Sequence, residues 1–210
     1  MSQIPVDELP LHDDHAPVPD RRGLPGPDAL VLDRGRALLL LVDVQERLVK
    51  AMQPDDLARV EKNATVLLKA AARLGVPVVV SEQYPKGLGH TLPSLRALVS
   101  EDPLQKLEFS CGGNKEIALK IFKAGRRQII VAGMESHVCV FQTVRDLQLG
   151  GYNAFVPVDA ICSRTDANYK VGIQLMEKAG ATMTSTEAVL FDLLGAAGTP
   201  EFKELSALIK

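Results

Sequence analysis

The chain has 210 residues, 46% of them apolar and 24% charged, with a formal net charge of -2. That is enough apolar material for one large core, and the chain has no basic run that would select nucleic acid or an anionic membrane as partner. The longest apolar run, Ala37 to Val42, is far too short to cross a bilayer. The odd set of three cysteines, Cys111, Cys139 and Cys162, fits neither a disulfide framework nor a zinc motif, so a cytoplasmic protein is expected.

Residues 1–34 stand apart. Pro5, Pro10, Pro17, Pro19, Pro25 and Pro27 fall here, and no helical or strand period is visible. This stretch reads as a Pro-rich N-terminal arm, extended or disordered, ahead of a single domain over residues 35–210. Its acidic start is not that of a secretory signal. His12 and His15 within it read as a solvated polar patch, because a mobile arm does not hold metal ligands in fixed geometry.

From Gly35 onward strands and helices alternate. Ala37–Val42 is a fully apolar strand. Leu57, Val60, Ala64, Leu67, Leu68, Ala71 and Leu74 recur at helical spacing, and Gly75 ends that helix. Strands follow at Val76–Val80, Leu104–Leu107 (a possible edge strand), Gln128–Ala132, Ala154–Val158 and Ala181–Thr184. Helices are expected at Lys115–Lys123, His137–Leu149, Asp166–Lys178, Thr186–Leu194 and Pro200–Ile209. All-apolar strands alternating with helices predict an α/β protein, a three-layer α/β/α sandwich around a parallel sheet covered on both faces. The long connection, Glu82 to Gly113, is of the kind that carries function.

In such sheets ligand sites form at the carboxyl ends of strands. Asp43 ends the first strand, Glu82 follows the second, Lys106 lies in the short edge segment, and Asp159 follows the fifth strand. Cys139 stands out most. It sits in RQIIVAGMESHVCVFQT, where a buried strand gives way to a helix, and helix-start N–H groups favour thiolate over thiol. Against these stand plainer roles: a helix cap for Asp43, a solvated charge for Lys106, a small core residue for Cys139. Cys111, before two glycines, and Cys162, in a Ser/Thr/Asp turn, take the plain reading. His137 lies two positions from Cys139, so on one helix the two side chains point apart. No P-loop, CxxC or dinucleotide fingerprint is present.

LLLVDVQ around Asp43, Lys106, and GMESHVCV around Cys139 together resemble the isochorismatase-like (cysteine hydrolase) superfamily. SEQYPKGLGHT, KLEFSC and VDAICSR narrow the likeness to its isochorismatase domain-containing branch, over roughly Gly35 to Lys210. The resemblance implies a six-stranded parallel sheet and a catalytic Asp–Lys–Cys triad of Asp43, Lys106 and Cys139. It also implies a non-proline cis peptide at Met134–Glu135, with the backbone N–H groups of Glu135 and Cys139 forming an oxyanion hole. Gln45, Glu82, Tyr84 and Phe109 are the expected substrate-binding residues. The implied chemistry is hydrolysis of a C–N bond in a small amide through an acyl-enzyme on Cys139.

The metal-binding Asp-x-His of nicotinamidases in this superfamily is replaced after the second strand by Glu82-Gln83-Tyr84, so no metal and no cofactor is expected. The implied partners are a small-molecule substrate and, by likeness to relatives, further copies of the chain in a homo-oligomer, with neither nucleic acid nor membrane. Two alternatives stand beside the enzyme: a catalytically vestigial member acting through protein association, and a thiol redox protein. The sequence offers no nearby resolving cysteine for the last.

Overall fold

In the computed structural model, which describes residues 30–209, the apolar run Ala37–Val42 becomes strand β1, buried at every position. Successive side chains of a strand point to opposite faces. Ala37, Leu39 and Leu41 therefore enter one core, and Leu38, Leu40 and Val42 enter the other. Two buried faces require helices on both sides of the sheet. In chain order there follow α1 (Pro54–Leu74), β2 (Val78–Gln83), α2 (Pro85–Leu88), α3 (Pro93–Arg96) and β3 (Leu104–Lys106). Next come α4 (Lys115–Lys123), β4 (Gln128–Met134), α5 (Phe141–Leu149), β5 (Asn153–Pro157) and β6 (Ile161–Cys162). The chain closes with α6 (Asp166–Lys178), β7 (Thr182–Thr184), α7 (Thr186–Leu194) and α8 (Pro200–Leu205).

Helices α1 and α7 close the first core through Val60, Ala64, Leu67, Val189 and Leu193. Helices α4, α5 and α6 close the second through Ile117, Ile121, Val144, Leu147 and Met176. The result is the expected three-layer α/β/α sandwich. The strands pair in parallel in the order β3-β2-β1-β4-β5-β7. Six strands thus make the main path, and β6 is an addition that the sequence pattern hides. It pairs Ile161 with Gly133 and Cys162 with Met134 at the end of β4. Cys162 is accordingly a buried strand residue rather than part of a polar turn.

From β1 the chain first builds outward to β3, then returns to β4 on the other side of β1. Open α/β sheets form their ligand crevice at such a reversal, outside the carboxyl ends of the two strands. Asp43 leaves β1 there, and Glu135 to Val140 leave β4 beside it. Two close approaches fix this corner. A Cβ on Gly133, whose φ is 123°, would stand 2.0 Å from the Val42 carbonyl oxygen, so only glycine lets β1 and β4 run side by side here. A Cβ on Gly172 of α6 would stand 2.7 Å from the Ser136 carbonyl carbon, so α6 packs its backbone directly on the turn that carries Cys139.

Of the N-terminal arm, residues 1–29, with His12 and His15, lie outside the described residues. The remainder is attached to the domain. Leu32 is buried in the first core, and the Gln128 side chain donates to the Val31 carbonyl at 2.7 Å and accepts from the Asp33 N–H at 2.8 Å. Among the described residues no helix is long and apolar enough to cross a membrane.

Candidate active site

Strand β3 lies beside β2 with Lys106 opposite Gln83, which points a lysine into the sheet's interior corner. The Lys106 ammonium has three protons and uses all three. It donates to Asp43 Oδ2 at 2.6 Å, Gln83 Oε1 at 2.8 Å and the Phe109 carbonyl at 3.0 Å. Asp43 follows β1 with a φ of 54°, in the left-handed region that aspartate tolerates better than most residues. Its other oxygen, Oδ1, accepts from the Ser81 hydroxyl at 2.7 Å. Both side chains of the ion pair are wholly buried. Such a pair persists only where charge and hydrogen bonds offset the loss of water, as they do here.

The Cys139 thiol faces the same Asp43 carboxylate closely enough for each group to act on the other's proton affinity. Asp43, Lys106 and Cys139 thus come together from the ends of β1, β3 and β4. Burial raises the Asp43 pKa above the ordinary aspartate value, against the opposing pull of Lys106, Ser81 and Cys139. Burial also pushes the Cys139 thiol well up, and the Asp43 charge adds to this while Lys106 opposes it. This reverses the expectation that a helix-start position makes Cys139 a resting thiolate. Burial next to a carboxylate favours the protonated thiol.

The Met134–Glu135 peptide is cis. It leads into a widened turn, Ser136–Val140, which replaces the first part of the single helix expected over His137–Leu149. Within it the Glu135 carbonyl accepts from Val138 N–H at 3.1 Å and Val140 N–H at 3.2 Å, passing over the Cys139 N–H between them. Turns of this width recur at functional sites. The Glu135 carboxylate faces away to Arg164, whose Nη2 and Nε donate at 2.5 and 3.0 Å, and it also takes the Arg164 backbone N–H at 3.0 Å. Burial alone would raise the Glu135 pKa, but the hydrogen bonds from Arg164 hold it below the ordinary glutamate range.

The other expected site residues divide. Gln45 is wholly buried with its amide committed to the fold. Its Oε1 accepts from Gln83 N–H at 2.7 Å, and its Nε2 donates to the Gln83 and Gly89 carbonyls at 3.0 and 2.6 Å. Glu82 is buried on the opposite side of β2 from Ser81. Its Oε1 accepts from Thr91 N–H at 2.7 Å and the Thr91 hydroxyl at 2.8 Å, and its Oε2 lies 3.0 Å from His90 Nδ1. Tyr84 and Phe109 are half exposed, and Leu107 is still more exposed. His137 Nδ1 lies 3.0 Å from the Ser163 hydroxyl, so the ring has a partner other than Cys139.

Sequence reasoning missed four participants: Ser81 and Gln83, which contact the ion pair, Arg164, and Cys111. The last is wholly buried with its Sγ 3.4 Å from Ser81 Oγ, and burial pushes its thiol up to about 11. The one available signal was alternation, since Ser81 and Gln83 share a face of β2. Among the described residues no group of three or more His, Cys, Asp or Glu is placed to hold a metal ion. A groove lined by Ala58, Glu61, Lys62, Thr65, Val66, Lys69 and Leu208 contains none of Asp43, Lys106 and Cys139.

Comparison with known proteins agrees with the fold as a whole. The isochorismatase domain model matches residues 37–188. Isochorismatase domain-containing protein 2 of Bos taurus is 34% identical over 176 residues, 84% of this chain and 84% of its own. The secreted isochorismatase effector Isc1 of Phytophthora sojae is 35% identical over 179 residues, 83% of this chain and 84% of its own. Among solved structures, the MAR1 ribonuclease of Caenorhabditis elegans matches with a TM-score of 0.79 at 34% identity, over 85% of this chain and 92% of that one.

Proposed function

The chain belongs to the isochorismatase family, a family of hydrolases, and we propose that it is a metal-independent cysteine hydrolase that cleaves a C–N bond of a small amide. One observation carries the reading: the Cys139 thiol and the Lys106 ammonium meet on the same buried Asp43 carboxylate. Asp43 takes the thiol proton as sulfur attacks the carbonyl carbon, giving a tetrahedral oxyanion. The backbone N–H groups of Glu135 and Cys139 are the proposed donors to that oxyanion; losing one such donor costs about 2.7–4 kcal/mol. The C–N bond then breaks, and the leaving amine takes the proton from Asp43. Water attacks the thioester, giving its proton to Asp43, and the C–S bond breaks. The acid leaves, and the proton returns to Cys139. Lys106 keeps Asp43 charged in a site where burial favours its neutral form. Tyr84 and Phe109 form the rim offered to substrate, and Gln45 and Glu82 act by holding the loop behind it.

Reaction with iodoacetamide, followed by intact mass, tests the nucleophile. Cys139 is expected to react rapidly and stoichiometrically, with labelling lost in Cys139→Ala and slowed by about 10²–10⁴-fold in Asp43→Asn. A Cys139 that reacts no faster than Cys111 and Cys162 overturns the proposal and favours the vestigial reading. Substrate is then sought as ammonia release from a panel of small amides with Cys139→Ala as control. Because one relative is named an isochorismatase effector and another a ribonuclease, isochorismate and RNA are tested alongside, read by pyruvate release and by loss of intact RNA.

A further inference from the structure

We infer that Ser81 is a positioning residue for this reaction: its hydroxyl fixes the Asp43 carboxylate as the proton acceptor facing Cys139. The inference rests on the reading of Cys139 as nucleophile. Alternation along β2 puts Val79 in the second core and Val80 in the first, so Ser81 falls on the side of Cys139 and Glu82 on the other. Ser81 is wholly buried, and its Oγ lies 2.7 Å from Asp43 Oδ1, a full-strength O–H···O distance. A carboxylate only accepts, so Ser81 is the donor. Its lone pair faces the Cys111 S–H at 3.4 Å, which keeps the hydroxyl proton turned toward Asp43. Cys111 is itself anchored, its N–H donating at 2.9 Å to the hydroxyl of Thr143, four residues beyond Cys139. With Ser81 on one oxygen and Lys106 on the other, the carboxylate cannot rotate away from the thiol.

Asp43 is faced by Lys106 from β3, Cys139 from the turn after β4, Ser81 from β2 and Cys111 from the loop before α4. The two thiols hold their protons through the acidic and neutral range, since burial raises both. Ser81 and the Cys139 thiol are therefore the neutral groups that favour the Asp43 charge, and of the two only Ser81 keeps its proton through the proposed reaction. Removing Ser81 leaves burial less opposed, and Asp43 then binds its proton at higher pH.

The test is the pH dependence of Cys139 alkylation by iodoacetamide in the full-length protein. Ser81→Ala and Ser81→Val are expected to move the acidic limb upward by about one pH unit. Ser81→Thr, nearly the shape of the valine variant but with the hydroxyl kept, is expected to leave the limb where it is in the wild type. If alanine, valine and threonine variants all share the wild-type limb while Asp43→Asn remains slow, the role of Ser81 is overturned and the nucleophile stands. If the threonine limb moves with the valine one, packing rather than the hydroxyl is responsible, which also overturns it. A wild-type Cys139 no more reactive than the other two cysteines overturns the functional reading itself.

Discussion

Asp43 and Glu82 are two carboxylates at the carboxyl ends of neighbouring parallel strands, both buried, and they do different work. The partners of Asp43 are an ammonium, a hydroxyl and a thiol, all side chains whose protons can move or whose charge can act on a substrate. The partners of Glu82 are a backbone N–H, a hydroxyl and an imidazole of the segment His90–Thr91, and its oxygens serve to close a loop. The strand-end rule finds both residues equally. What separates them is the partner set, which depends on which face of the sheet each side chain enters.

Three substitutions break or sharpen this contrast. The largest effect is expected from Lys106→Met, which leaves Asp43 buried without its cation. Stability should fall by about 3–5 kcal/mol, read as a lower midpoint of urea unfolding at unchanged slope. A loss below about 1 kcal/mol would mean that the pair is reached by water. Glu82→Gln comes next. It weakens the acceptor for Thr91 and leaves an amide where a carboxylate stood, so a cost of about 1–3 kcal/mol is expected, with faster hydrogen exchange at the Thr91 amide. Unchanged exchange there would remove the loop-closing role.

The smallest effect concerns a third carboxylate, Glu135, whose partner Arg164 is more than half exposed. Arg164→Met should cost about 1 kcal/mol near neutral pH. The sign of its pH dependence follows from the depressed folded value of Glu135. The stability it contributes is present above the ordinary glutamate pKa of 4.5 and is lost as pH falls through the lower folded value. Unfolding midpoints of wild type and variant should therefore converge in acid. A constant gap down to the acid limit would assign the loss to packing of the arginine stem.

The sequence made the strands and most helices legible where burial was apolar. β1 and the bounds of α4, α6 and α7 are those that periodicity and capping predict. It failed where polar residues are buried. β2 runs on to Gln83 although the apolar pattern stops at Val80, because Ser81, Glu82 and Gln83 each find partners inside the fold. The end of β4 and the whole of β6 were hidden for a related reason. Two-residue pairing leaves no period to read, and Gly133 carries no side chain. At the site, motif resemblance brought out Asp43, Lys106 and Cys139, and spacing alone did not distinguish them from a cap, a surface charge and a core thiol.

What the sequence determined by itself is therefore the layered architecture and the likeness that ties three distant residues together, because apolar period and motif are local properties of the chain. Only the tertiary structure decided the surroundings of Cys139 and the partners of the residues near it. A pKa depends on what surrounds a group, and burial beside Asp43 keeps Cys139 a thiol where its helix-start position alone predicts a thiolate. The same dependence on surroundings makes Ser81 and Gln83 partners of the Asp43–Lys106 pair and Glu82 the clasp of a loop, though the three are consecutive in sequence.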